Sequence, residues 1–355
     1  MSRVTYWIAY CKVTRMASAP RLKLDGGIPN QLARVPDRAR ELEQDGYDGG
    51  WTAETSHDPF LPLLLAAEHT SRLELGTNIA VAFARNPMIV ANIGWDLQAY
   101  SQGRFILGLG TQIQPHIEKR FSMPWSHPAR RMREFISALQ AIWSAWKDRT
   151  KLRFEGEFYT HKIMTPMFTP EPQPYSAPKV FLAAVGEAMT EMCGEVADGH
   201  LGHPMVSKRY LEEVTLPALM RGMQRSGRDR SDFEVSCEVL VATGDNNAEL
   251  AAATAAVRKQ IAFYGSTPAY QKVLELHGWG DLHPELRRLS LEGEWDAMGS
   301  LIDDEMLAAF AVAGPVDTIA AALKSRCEGV VDRVLPIFLT ASRACITAAL
   351  KEFRE

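Results

Sequence analysis

Between residues 47 and 112 three short apolar runs, in YDGGWTAETSHDPF, LELGTNIAVAFARNP and GRFILGLGTQ, each stop at a polar cluster and stand about one helix apart. That alternation is the pattern of βαβ units and therefore of a parallel sheet. Ligands of such sheets gather where the strands end. The strand ends here carry Glu54, Thr55, His57, Asp58, Asn78, Thr111 and Gln112, so this edge is the expected active site.

The same alternation extends through the chain. A strand over 22–28 leads into a helix that has Pro36 in its first turn and Gly46 just past its end. Strand two covers 48–53, strand three 73–83 and strand four RFILGLG, which is apolar on both faces as a covered strand must be. Over 112–178 the pattern changes to a long amphipathic helix, a hairpin about Gly156 and a stretch with five prolines between Pro166 and Pro178. A proline-rich segment with βα units on both sides predicts a lid more than a linker. Strands at KVFLAAVG, DGHLGHP, FEVSCEVLVA and 332–338 follow, with helices over 246–264, 295–310 and 316–326 before the last. Eight strands with intervening helices predict an α/β (β/α)8 TIM barrel over 21–355, its insertion after strand four closing over the C-terminal mouth. Residues 1–20 precede the first strand and are expected outside the fold.

A net charge of −4 gives no electrostatic footprint for nucleic acid. The run VTYWIAYCKV is too short and too polar to span a membrane or serve as a secretion signal. Five scattered cysteines without a C-x-x-C spacing read as reduced core thiols of a cytoplasmic protein.

His57 in S-H-D-P stands where a strand end meets a helix start, so its imidazole can reach the mouth while Asp58 caps the helix. A structural histidine is the alternative. Glu54 reads either as a satisfied carboxylate or as a proton-handling group, and His116 as a mouth residue or a solvated loop side chain. LGLGTQ lacks the third glycine of a dinucleotide fingerprint. AVGEAM at 184–189 puts a helix start after a glycine, which suits an anion and also suits a plain turn. His200 and His203 could join His57 around a metal in a barrel hydrolase, although the first strand LKLDGGI lacks the histidines that class shows.

W-x-x-E-x-x-H-D-P at 51–59, L-G-T-N-I at 75–79, R-N-P at 85–87, G-R-F-I-L-G-L-G at 103–110 and A-D-G at 197–199 together resemble the bacterial luciferase-like flavin and deazaflavin oxidoreductases, in particular their coenzyme F420-dependent branch. The resemblance runs from about residue 22 to 338. It implies a hydride transfer between coenzyme F420, or alternatively FMN, and a small organic substrate. His57 would stand beside the reactive ring carbon and handle the proton, with Glu54 as a second candidate. A cis peptide between Asn78 and Ile79 would press on the back of the ring. Val185, Gly186, Glu187, Ala188 and Met189 would hold the cofactor phosphate, and Thr55, Asp58, Gly110, Thr111, Gln112 and His116 would complete the cofactor site. Ile113 stands where the sugar-phosphate dehydrogenases of the family place an acid, which argues against glucose 6-phosphate. An FMN-dependent monooxygenase and a non-catalytic cofactor-binding barrel remain open. The resemblance also implies a homodimer formed through helices beside strands two and three, with Ile89, Ile93, Trp95 and Leu97 on the second of these.

Overall fold

A computed structural model describes residues 21–354; the expectation for residues 1–20 lies outside them. Eight parallel strands close into a barrel: β1 (Lys23–Gly27), β2 (Gly49–Thr52), β3 (Glu74–Thr77), β4 (Phe105–Gly110), β5 (Lys179–Ala183), β6 (Gly199–Gly202), β7 (Glu234–Ala242) and β8 (Arg333–Phe338). Closure comes from β8 pairing with β1, Lys23 opposite Arg333 and Leu24 opposite Val334. Helices α1 (Val35–Gln44), α2 (Phe60–Glu68), α3 (Pro87–Tyr100), α4 (Pro128–Lys147), α5 (Glu187–Val196), α6 (Leu216–Ser226) and α7 (Ile319–Cys327) form the outer ring. The TIM-barrel expectation holds.

Strand three is not the single run expected over 73–83. β3 ends at Thr77, the Asn78–Ile79 peptide is cis as the resemblance implied, and Ala80–Val81 then pairs with the upper end of β4. Hydrogen bonds from β2 impose the break: Asn78 N–H donates to Thr52 O at 2.6 Å and Glu54 N–H to Ile79 O at 3.2 Å. Gly108 permits the close approach of β4, since a Cβ there would stand 1.7 Å from Thr77 O.

The insertion after β4 covers the mouth only in part. Its long helix is the barrel's own α4, burying Met132, Phe135, Ile136, Leu139 and Trp143 at helical spacing. Trp143 Nε1 donates to Ala91 O of α3 at 3.1 Å and Gln140 Nε2 to Val196 O of α5 at 3.0 Å, so α4 is wedged between its ring neighbours. The hairpin forms as expected, Phe154–Glu155 against Thr160–His161. The proline-rich stretch does not reach the mouth. Gln98 Nε2 of α3 donates to Ser176 O at 2.9 Å, Trp95 Nε1 to Glu171 O at 3.4 Å, and Tyr175 packs on Gly103 ahead of β4, which fixes the segment along the outer wall toward the N-terminal end. Proline removes ladder donors equally from a strap and from a lid, so composition could not separate them. The part that does reach the mouth is 112–127, where Arg120 donates to Thr55 O.

A second insertion, between β7 and α7, was not foreseen as a unit. Its helices Asn247–Gly265, Gln271–Leu276, Leu282–Glu292, Trp295–Ser300 and Asp304–Phe310 include two where the sequence predicted none. They cover the β6–β7 side of the mouth, and Ala311–Ala313 adds a short strand beside the top of β7. The dimer expectation needs revision in detail: Ile89 is exposed, but Trp95 and Leu97 face the core. Cys193, Cys237, Cys327 and Cys345 are free and buried.

Candidate active site

The barrel interior is layered from floor to mouth. At the N-terminal end the buried Arg333 guanidinium meets Asp25, Glu74 at 2.6 Å and Glu234 at 3.1 Å. Above it Trp51, Ile106, Phe181, Leu201 and Leu335 interlock as an apolar layer.

On the β2–β3 side Arg85 organises the rim. It donates to Glu54 Oε2 at 2.6 Å and to Asp58 Oδ2 at 3.0 Å, with its guanidinium over the Phe60 ring. Glu54 Oε2 also accepts Val81 N–H at 2.7 Å, and its side chain is 6% exposed. Of the two readings of Glu54 the geometry favours the satisfied carboxylate: it braces the segment after the Asn78–Ile79 bond. Asp58 Oδ1 accepts Phe60 N–H at 2.9 Å and so caps the start of α2. Asn30 joins β1 to this rim through Ala53 O at 3.0 Å and Thr55 Oγ1 at 3.2 Å, and its own side-chain oxygen is buried without a partner among the described residues.

His57 is exposed beside this hub and makes no side-chain hydrogen bond among the described residues. Gly110 leaves room for the Ile79 side chain, since a Cβ there would sit 2.9 Å from it. Thr111 and Gln112 follow at the rim, Gln112 with a positive φ of 62° and its Oε1 accepting Ile113 N–H. His116 is exposed on the short Gln114–Lys119 helix, in line with a solvated side chain.

The residues that sequence reading missed lie deeper. Asn78 Nδ2 donates to Glu238 Oε1 at 3.0 Å. Glu238 is the inward residue of β7 level with Leu335 of β8, directly on the apolar layer. Desolvation pushes its carboxyl up to about 7. Next to it His203, at the end of β6, stacks on Tyr270 with ring centroids 4.6 Å apart and meets Tyr264 edge-on at 4.4 Å. Met205 N–H donates to His203 Nδ1, so the neutral ring carries its proton on Nε2, and burial lowers its pKa to about 3. The available sequence signal was an acid in the middle of the apolar run FEVSCEVLVA.

On the β5 side the stretch read as an anion junction, Val185, Gly186, Glu187, Ala188 and Met189, lines a cleft of about 620 Å³ together with Pro128, Ala129, Glu191 and Lys272. Gly186, with a φ of 82°, opens α5, and Pro128 opens α4, so two helix N-termini face one cleft. Lys272 adds a full positive charge that the sequence reading did not foresee. Glu187 and Glu191, which would repel an anion, are ion-paired, Glu187 with Arg221 and Glu191 with Arg221 and Arg225.

The rival set of His57, His200 and His203 does not assemble. His200 bonds Ala184 O through Nε2 at 3.1 Å within the barrel wall, and among the described residues no three His, Cys, Asp or Glu side chains form a metal-binding group. No helix among the described residues is long and apolar enough to cross a membrane.

The comparisons with known proteins bear on the fold and the family. An uncharacterised protein of Mycobacterium tuberculosis is 81% identical over 339 residues, covering 96% of this chain and all of the relative. A 5,10-methylenetetrahydromethanopterin reductase of Methanolobus tindarius is 26% identical over 81% of this chain and 84% of its own. Among solved structures, the coenzyme F420-dependent tetrahydromethanopterin reductase of Methanopyrus kandleri superimposes with a TM-score of 0.74 at 20% identity, covering 94% of this chain and 97% of that one. The sequence profile of the luciferase-like monooxygenases matches residues 11–333, and the chain belongs to that family.

Proposed function

We propose that the protein is an oxidoreductase that moves a hydride between coenzyme F420 and a small organic substrate. The observation that carries this reading is the Gly186 cleft, where the starts of α4 and α5 and the Lys272 ammonium converge on one space suited to a phosphate. The residues present fit such a cofactor. The backbone N–H groups of 186–189 would hold its phosphate, Asn78, Ile79 and Gly110 would border its ring, and the substrate would lie beside the ring on the Glu238 side of the mouth. The bound deazaflavin supplies the hydride chemistry. The chain's own work is to fix the ring through the β3 bulge that Glu54 and Arg85 brace, and to handle a proton at His57 Nδ1 or Nε2. The likeness to a coenzyme F420-dependent reductase supports F420 over FMN, and FMN is the second reading that the same cleft supports.

Fluorescence titration of the purified protein with F420, FMN and NADPH tests the proposal. Saturable F420 binding in the micromolar range or tighter is expected, weakened several-fold in Lys272→Ala. Saturable FMN binding alone would move the reading to a flavin enzyme. NADPH binding with neither of the others would overturn it.

A further inference from the structure

Glu238 is an acid in an unusual place. Structural carboxylates inside this barrel have cations: Glu74 and Glu234 each meet Lys23 and Arg333. Glu238 has none among the described residues. Its one side-chain partner among the described residues is the neutral Asn78 amide, on Oε1; Oε2 has no hydrogen-bond partner among them and is not sealed from solvent. Among the described residues, the elements around it bring the weakly ionising His203 from the end of β6 and Tyr264 and Tyr270 from the insertion after β7, with the apolar Leu335 beside it on β8. Burial raises both tyrosine hydroxyls, and the Glu238 charge adds to the rise, which places them within electrostatic reach of the carboxyl.

A carboxyl left unpaired at the floor of a site, bonded to a neutral donor and open on one oxygen, is placed to exchange a proton with a ligand rather than to hold the fold. Its titration near neutrality suits it to both directions of such an exchange. The surrounding rings offer an apolar wall, and the His203 Nε2–H is a further donor.

We propose that Glu238 is the acid–base group serving the substrate, and that the pocket it forms with Asn78, His203, Tyr264 and Tyr270 takes a small carbonyl compound, or the alcohol it becomes, with its apolar or flat part against the tyrosine rings. This rests on the hydride reading above. In the reducing direction the carbonyl carbon gains a C–H bond from hydride supplied by the reduced deazaflavin or flavin. The C=O π pair moves onto oxygen, and the O–H bond forms with the proton released by Glu238. The carboxylate recovers its proton from solvent, and oxidation of the alcohol runs the same exchange backwards. His57 then serves the cofactor side and Glu238 the substrate side.

The test compares wild type, Glu238→Gln and Glu238→Asp. In the cofactor-free protein, the infrared carboxyl band lost in Glu238→Gln should titrate in wild type with a midpoint near neutrality; a midpoint in the ordinary carboxylate range near 4 would overturn the proposal. With cofactor and a panel of small aldehydes and ketones such as benzaldehyde and acetophenone, Glu238→Gln should bind cofactor as wild type does. Its kcat should fall about 10²-fold or more, and the pH profile should lose its limb near neutrality. Glu238→Asp should restore part of the rate and the limb, which a merely structural role would not predict. Wild-type kcat and an unchanged pH profile in a folded Glu238→Gln would sink this inference and leave the hydride reading standing. Failure of the wild type to bind either cofactor in the titration would instead sink the hydride reading, and this proposal with it.

Discussion

Arg333 closes on Asp25 with two parallel hydrogen bonds, Nε to Oδ2 at 2.9 Å and Nη2 to Oδ1 at 2.8 Å, although 308 residues separate them. Both side chains are fully buried, and the pair joins the first strand to the last at the floor of the barrel. Burial works against the Arg333 charge, but Asp25, Glu74 and Glu234 outweigh it and push its pKa well up. Replacing Arg333 with Met would strand the Asp25 carboxylate. The expected cost is about 3 to 5 kcal/mol of folding stability, measured by urea unfolding, because one partner of a buried pair is removed and the other is not. A loss below about 1 kcal/mol would show that the floor is held by its apolar neighbours instead.

The same layer sets the response to acid. Against the cost of burial, Arg333, Lys179 and Lys23 pull Glu234 down to about 2 from its ordinary 4.5, and Arg333 and Lys23 lower Glu74. A carboxylate with a depressed folded pKa stabilises fully above its unfolded value and loses that contribution as pH falls through the folded one. Unfolding midpoints should therefore drop between about pH 4.5 and pH 2, and the drop should be shallower in Glu234→Gln. A variant with the wild-type slope would remove Glu234 from the explanation.

Glu238 has the opposite sign. Its folded pKa, about 7, lies above the ordinary 4.5, so the folded state is penalised as pH rises through that window and carries the whole penalty above it. Glu238→Gln should melt later than wild type at pH 8 and no later at pH 4. The gain is bounded by the shift at ~3 kcal/mol. Equal melting temperatures at both pH values would mean that the carboxyl is solvated after all.

These two acids also show where sequence reading stops. Strand positions, the Asp58 cap and the helix start after Gly186 were legible, since each rests on local pattern or on a short motif, whereas strand three read as one run and the cis Asn78–Ile79 bond came from the family resemblance alone. Glu234 and Glu238 occupy one strand, and only the closed barrel reveals that both point inward, one onto Arg333 and the other onto Asn78. A strand covered on both faces is apolar on both, so its sequence carries no inside and outside. Tyr264 and Tyr270 were hidden for a related reason: the insertion after β7 returns to the mouth through contacts distant in sequence. The proline-rich stretch was misplaced because the same composition serves an outer strap.

The homodimer expectation would rest on the outer ring. Leu61 and Leu64 on α2 and Ile89 and Tyr100 on α3 are all exposed, and α2 packs against α3. We expect a homodimer through this face, with Leu64→Asp combined with Ile89→Asp shifting the mass in light scattering to that of one chain. A dimer that survives both substitutions would point elsewhere, and a monomeric wild type would end the expectation.

His57 carries the last prediction. It is exposed and bonds no other side chain among the described residues, so His57→Ala should leave the melting temperature unchanged. The cleft at Gly186 and the bulge at Asn78 do not include it, so cofactor affinity should also hold. If His57 handles the proton on the cofactor side, the single-turnover rate should nevertheless fall about 10²-fold or more, the usual share of a positioned acid or base. The double variant with Glu238→Gln then separates the two roles. Protons exchanged on opposite partners of one hydride transfer belong to one transition state, so the losses should be less than additive. A folded His57→Ala that turns over at the wild-type rate would leave Glu238 as the one acid–base group of the site.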